Sequence, residues 1–314
     1  MTTTTDKTIS VLIKEKAISL GFDLCGIARS KPLDERGKIL TDWCSEGMND
    51  GMSYLAKNIN KRIDPDFLVQ GAKSVIITGL SYYTDKKQSE PGVPVISRYA
   101  YGINYHDIIK KKLYKFLAFI KSIREETEGR PFSDSAPLLE KAWACEAGLG
   151  WQGKHSIVIN KERGSFFFIG ALIVNIELDY DKPFKAEFCG NCRLCIDLCP
   201  TGAINENRTI DARKCIANLT IENRGPIPEE IIPRLGNRVY GCDRCQEVCP
   251  WNKNAKQHNT PEFNLPEEVE KMTVEGWINL SPEQFKTLFK NTPIARRKYE
   301  PFMRNVKIVI NSGT

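Results

Sequence analysis

Cys189-x2-Cys192-x2-Cys195-x3-Cys199-Pro200, then Cys215, then Cys242-x2-Cys245-x3-Cys249-Pro250, is the stretch on which the reading of this chain turns. It holds eight of the eleven cysteines. The first run has the spacing of a bacterial [4Fe–4S] ferredoxin, in which three closely spaced thiolates hold one cube and the fourth, before proline, ligates the other. Applied here, that rule gives Cys189, Cys192, Cys195 and Cys249 to a first cluster. Cys199, Cys215, Cys242 and Cys245 go to a second, and no cysteine of the stretch is left over. Zinc sites prefer tetrahedral sets of paired cysteines, and a triple run ending in Cys-Pro suits them poorly. Structural disulfides need an oxidising compartment, whereas Met1 to Asp6 begins no basic, apolar export signal. The expectation is a reduced, cytoplasmic protein that moves electrons.

The 314 residues are 41% hydrophobic and 27% charged, ordinary for a soluble protein and enough for a sizeable core. The longest apolar run, Phe166 to Val174, is too short to span a membrane, so no membrane partner is expected. A net charge of +6 is mild; it agrees with simple solubility and leaves room for a polyanionic partner.

Upstream of the cysteines, helical and strand patterns alternate. Asp6 to Leu20 reads as a helix closed by Gly21, Phe22 to Ala28 as a strand, and Leu33 to Glu46 as a second helix. Ser74 to Tyr83 is a β-branched run of the fully buried kind. Asn104 to Glu128 is a long helix with lysines on its outer face, Pro131 to Ser135 a short extended piece, and Leu138 to Ala147 a further helix. Ser156 to Asn160 and Ser165 to Ile176, joined at Lys161 to Gly164, read as a hairpin. After Pro261 come helical patches, one opening at Ser281-Pro282 with serine as N-cap. The expected organisation is an α/β domain over 1–185, the cluster module over 186–255 and a helical tail over 256–314. Cys25, Cys44 and Cys145 are expected as small buried side chains, and Tyr82, Tyr83 and Trp151 as core or rim aromatics. No Gly-x-Gly-x-x-Gly follows a strand, which removes support for a Rossmann dinucleotide site. Spacing alone therefore leaves the acceptor of the electrons open.

Several segments narrow it. Ser97-Arg98-Tyr99-Ala100-Tyr101-Gly102 with Tyr105-His106, Asp134-Ser135-Ala136-Pro137-Leu138-Leu139-Glu140 and Gly150-Trp151-Gln152-Gly153-Lys154-His155 resemble the epoxyqueuosine reductase family. So do Pro200 to Ile204, Cys215 to Glu222 and Cys242 to Asn252. The resemblance covers nearly the whole chain. It implies a cobalamin held without a lower histidine ligand in an α/β domain similar to that of reductive dehalogenases, beside two [4Fe–4S] clusters. It further implies tRNA carrying epoxyqueuosine as substrate and an external low-potential donor of ferredoxin or flavodoxin type, with the enzyme working as a monomer. Many members continue into a helical-repeat extension near an Arg-Asn segment like Arg304-Asn305, where this sequence stops.

By the same resemblance Asp134 is the proton donor, against the competing role of N-cap for the helix that follows. Lys57, Ser97, Asp134, Lys154, His155 and Ser156 are the candidate cobalamin contacts. Arg208, Arg213, Arg224, Arg296, Arg297 and Arg304 are the basic candidates for tRNA phosphates. Two rival readings are a reductive dehalogenase, which would usually carry an export signal, and a ferredoxin-like carrier, which would leave the first 185 residues without a purpose.

Overall fold

The computed structural model describes residues 4–312. Met1, Thr2 and Thr3, part of the stretch read as lacking an export signal, lie outside them. Among the described residues no helix is long and apolar enough to cross a membrane. All eleven cysteines are free thiols.

The strands are β1 (Leu24–Arg29), β2 (Ser74–Ser81), β3 (Val95–Ile96), β4 (Gly129–Phe132), β5 (Trp151–Gln152), β6 (Val158–Ile159), β7 (Phe167–Val174) and β8 (Arg238–Tyr240). Four of them form the main sheet in the order β1-β2-β7-β4, every pair antiparallel. β2 is buried at all eight positions because helices cover both faces. Ile76 and Leu80 join Ile13 and Ala17 of the helix Thr4–Ser19 and Ile109, Leu113 and Phe116 of the helix Tyr105–Ile123. Val75 and Ile77 meet Ala142, Trp143 and Ala144 of the helix Glu140–Glu146 on the other side. Alternation puts successive side chains on opposite faces, so a strand dressed on both must be apolar throughout.

The expected hairpin does not form. β6 pairs backward with β5, and β7 enters the middle of the main sheet between β2 and β4; only the bridge Asn160–Gly164 links the two segments. An eight-residue apolar strand gains more from two strand neighbours and two helical layers than from one short partner at the surface.

A further core unites Val93 to Tyr101, Ile216 and Leu219 of the helix Ile216–Ile221, Val239 and Tyr240 of β8, and Trp277, Phe285, Phe289, Phe302 and Val306 of the C-terminal helices. Ser281 opens the helix Pro282–Phe289 with a full capping box, bonding Gln284 in both directions. The parallel pair β3–β8 lies in this core, and just past it the Ser97 N–H donates to the Tyr240 carbonyl at 2.8 Å, two residues before Cys242.

Candidate functional site

A cavity of about 1300 Å³ opens between the main sheet and the C-terminal core. Its walls include Trp43 and Tyr54, the loop Asp134 to Glu140, the start of the helix Tyr105–Ile123, Cys215 to Glu222, and Asn291 to Arg296. One wall is set by a close approach. A Cβ on Gly102 would lie 1.9 Å from the Glu262 carbonyl oxygen, so only glycine lets that oxygen accept from the Ile103 N–H at 2.7 Å. Asn104 then caps the helix, its Oδ1 accepting from the backbone of His106, and the same oxygen lies 2.7 Å from His106 Nδ1. Tyr105 is clamped between Phe168 and His106, each ring centroid 4.1 Å from its own.

Tyr105 aims its hydroxyl at Asp134, donating to Oδ2 at 2.5 Å. His106 Nε2 lies 3.7 Å from the same oxygen. Asp134 has φ of 50°, a left-handed conformation that Asp tolerates better than most residues, and its backbone N–H donates to Glu140 Oε1 at 3.1 Å. Burial and the nearby Asp134 push the Glu140 carboxyl up to about 8. Asp134 itself is 68% exposed to the cavity. The capping alternative drops out, because the helix Glu140–Glu146 has Leu139 at its N-cap and no side-chain cap bond.

The cysteines fall into two neighbourhoods. Burial pushes the Cys195 thiol up, and the thiols that push it further are Cys249, Cys189 and Cys192; Cys249 feels Cys189 and Cys192 in turn. Cys215 is raised first by burial and then by Cys199, and Cys242 by burial and then, among the thiols, by Cys215. Cys245 is raised by burial, then by Cys242 and Cys215, with a smaller push from Cys195. Apart from the push of Cys195 on Cys245, these influences run within the two sets of the spacing rule, although among the described residues no three ligating side chains stand together as a ready metal site. Cys215 lines the cavity, whereas Cys189 and Cys192 sit in a largely exposed loop.

The remaining sequence candidates separate. Lys57, Ser156, Arg208 and Arg296 line the cavity with Asp134. Ser97, Lys154 and His155 do not. Ser97 Oγ bonds Asp243, between Cys242 and Cys245, and Arg98 pairs with Asp243 at 3.2 Å and with Glu247 at 2.9 Å. Lys154 Nζ donates to the carbonyls of Gly190 and Cys192 at 2.9 and 3.0 Å. Both therefore brace cluster loops. His155 is buried, accepts from the Ile157 N–H through Nδ1 at 3.2 Å, and is pushed down to about 4 by burial.

Among the arginines, Arg297 corrects the expectation. It is 2% exposed, and its donors go to the carbonyls of Ile221 and Asn223, so it secures the end of the helix Ile216–Ile221 and cannot meet a phosphate. Arg304 serves the same turn through Leu219 and Gly225. Arg213 pairs with Asp211, Arg208 with Glu187 and Arg296 with Glu222, while Arg224 is exposed. Of the three cysteines expected as small buried side chains, Cys145 is buried in its helix, whereas Cys25 in β1 and Cys44 in the helix Asp34–Ser45 are half-buried. Trp151 and Tyr82 are buried and Tyr83 half-buried.

Sequence reasoning assigned no role to Tyr105, His106 or Glu140, although all three stand inside the segments that carry the family resemblance. Their signal was the ionisable or phenolic side chain beside a known motif; what lacked was the fold that brings residues 105 and 134 together.

Comparison with known proteins decides the family. Residues 188–252 match the 4Fe-4S double cluster binding domain, and residues 62–135 match the family described as Epoxyqueuosine reductase QueG, DUF1730. An epoxyqueuosine reductase of Cyclobacterium marinum is 42% identical over 304 residues, 96% of this chain and 97% of that one. The chain belongs to the epoxyqueuosine reductase family. A crystal structure of an epoxyqueuosine reductase with an epoxyqueuosine-modified tRNA-Tyr stem loop superimposes with a TM-score of 0.89 at 30% identity, covering 97% of this chain and 81% of that chain. A Bacillus subtilis epoxyqueuosine reductase, captured with its catalytic aspartate loop swung out of the active site, gives 0.88 at 30% identity, covering 97% and 82%. As a family member the chain is an oxidoreductase with a double [4Fe–4S] module behind an α/β domain.

Proposed function

We propose that this chain reduces epoxyqueuosine to queuosine at the wobble position of tRNA, the last step of queuosine biosynthesis. One observation carries the reading: Cys215, from the second thiol neighbourhood, and Asp134 line the same cavity, so an electron source and a proton source face one volume. The chemistry needs both. Two C–O bonds of the epoxide break, a C=C bond forms, two electrons and two protons are consumed, and the oxygen leaves as water.

Cys189, Cys192, Cys195 and Cys249 hold the first cluster, in the exposed loop where a ferredoxin- or flavodoxin-type donor can reach it. Cys199, Cys215, Cys242 and Cys245 hold the second, against the cavity. The cavity exceeds the roughly 300–1,000 Å³ of ordinary small-molecule sites and suits a macrocycle of cobalamin size. His106 is the histidine of the described residues that lines it, and Asn104 and Asp134 engage its ring, which fits a cobalamin lacking a lower histidine ligand. Cobalamin, when bound, supplies a cobalt centre that gathers single electrons into a two-electron reductant. Lys57 and Ser156 are its proposed contacts beside Asp134; Ser97 and Lys154 act one layer out, on the loops of the second and first clusters.

Asp134 holds the proton for the epoxide oxygen, oriented by Tyr105 and by the grip of Glu140 on its backbone. The modified base is splayed out of the anticodon loop to reach it. Arg296 and Arg208 stand where the flanking phosphates pass, with Arg213 and Arg224 further along the surface. The proposed enzyme works as a monomer in the cytoplasm, the kind of compartment that keeps thiols reduced.

Binding of an epoxyqueuosine stem loop tests the docking. Affinity falls as salt rises, and Arg296→Ala weakens it several-fold while reducing the logarithmic salt slope by about 1, with both cluster spectra intact. An unchanged slope and affinity would move the RNA away from the cavity mouth.

A further inference from the structure

Epoxide removal takes two protons per turnover, and Asp134 holds one. Building on the reading of Asp134 above, we propose that His106 returns a proton to Asp134 within each turnover, so that the pair delivers both. The ring's orientation is fixed. Asn104 Oδ1 accepts from the His106 backbone N–H, which identifies that atom as the oxygen, and it lies 2.7 Å from Nδ1. Nδ1 therefore carries the hydrogen, and in the neutral ring Nε2 is a bare lone pair, 3.7 Å from Asp134 Oδ2. A lone pair facing a carboxylate oxygen is unfavourable, and one proton shared between them relieves it.

The environment decides where that proton rests. Burial lowers the His106 pKa while the charge of Asp134 works against that fall, so the ring's hold on a proton depends on whether the carboxyl beside it is charged. The other charges facing the ring are Asp107 and Lys110 on its own helix and Arg296 across the cavity; Lys110 and Arg296 disfavour an imidazolium and Asp107 favours it. Once Asp134 has given its proton, the new carboxylate makes protonation of His106 favourable, and the ring, 25% exposed, takes a proton from the cavity. That proton then passes from Nε2 to Oδ2. No electron moves in the step. Tyr105, its hydroxyl pushed up by burial and by Asp134, stays protonated and serves only to aim Oδ2.

Two measurements test this. In the cobalamin-free protein, an NMR titration of His106 should show its pKa falling in Asp134→Asn, because the stabilising carboxylate is gone; an unchanged titration would overturn the proposal. In turnover, His106→Gln should lose about 10²-fold in kcat. Its rate should then rise with hydronium concentration and recover on adding imidazole, which a packing role would not produce. A parental rate, or a loss with the parental pH profile and no imidazole recovery, would also overturn it. Asn104→Ala, which frees the tautomer, should give a smaller loss with the same pH signature and carries the kinetic test should the Gln variant misfold. Failure of the parent chain to convert substrate would count against the function itself, whereas the titration stands without turnover.

Discussion

Asp134→Asn is expected to lower turnover of epoxyqueuosine tRNA by roughly two to four orders of magnitude, the range for loss of a general acid. The substitution is clean at this position. Asn tolerates the left-handed backbone that Asp134 adopts, keeps the amide N–H that Glu140 accepts, and still offers an oxygen to the Tyr105 hydroxyl. Thermal stability, cluster content and stem-loop affinity should stay near the parent. Since Asp134 caps no helix, a large stability loss has no structural source. Single-turnover rates on the Asn variant decide the matter, and near-parental turnover would remove Asp134 from the mechanism.

Cys199→Ser is expected to abolish the second cluster while sparing the first, although Cys199 is four residues from Cys195. The reason is spatial: the thiol that Cys199 bears on is Cys215, and Cys215 lines the cavity. Iron content should fall from about eight to about four per chain. Electron paramagnetic resonance should show one remaining reduced cube, and turnover should vanish because that cube no longer has a relay to the cavity. Loss of the first cluster instead would reverse the assignment of the two sets.

The cluster module was legible because ligand spacing is local chemistry: a thiolate run before Cys-Pro states its geometry within eleven residues. The helices over 105–123 and 282–289 were also legible, since each buries one stripe and opens on a capping residue, Asn104 and Ser281. The partner of β7 was not. Its continuous apolar run says that both faces are covered but not by what, and local reading gave it the nearest strand. Side-chain roles that depend on distant partners were hidden too. Ser97 and Lys154 looked like cofactor contacts from their motifs, yet their partners are Asp243 and the Gly190–Cys192 loop. Arg296 and Arg297 are adjacent and alike in sequence, but one reaches the cavity mouth and the other spends its charge on helix carbonyls in the core. Composition cannot make that distinction.

Nucleoside composition after one experiment tests the central claim most directly: the reconstituted, cobalamin-loaded protein, reduced without oxygen, is incubated with a stem loop carrying epoxyqueuosine and the RNA is digested. The account predicts that epoxyqueuosine is replaced by queuosine, with two electrons consumed for each molecule formed. Epoxyqueuosine recovered intact from a protein whose clusters are reduced and whose stem loop is bound would contradict it.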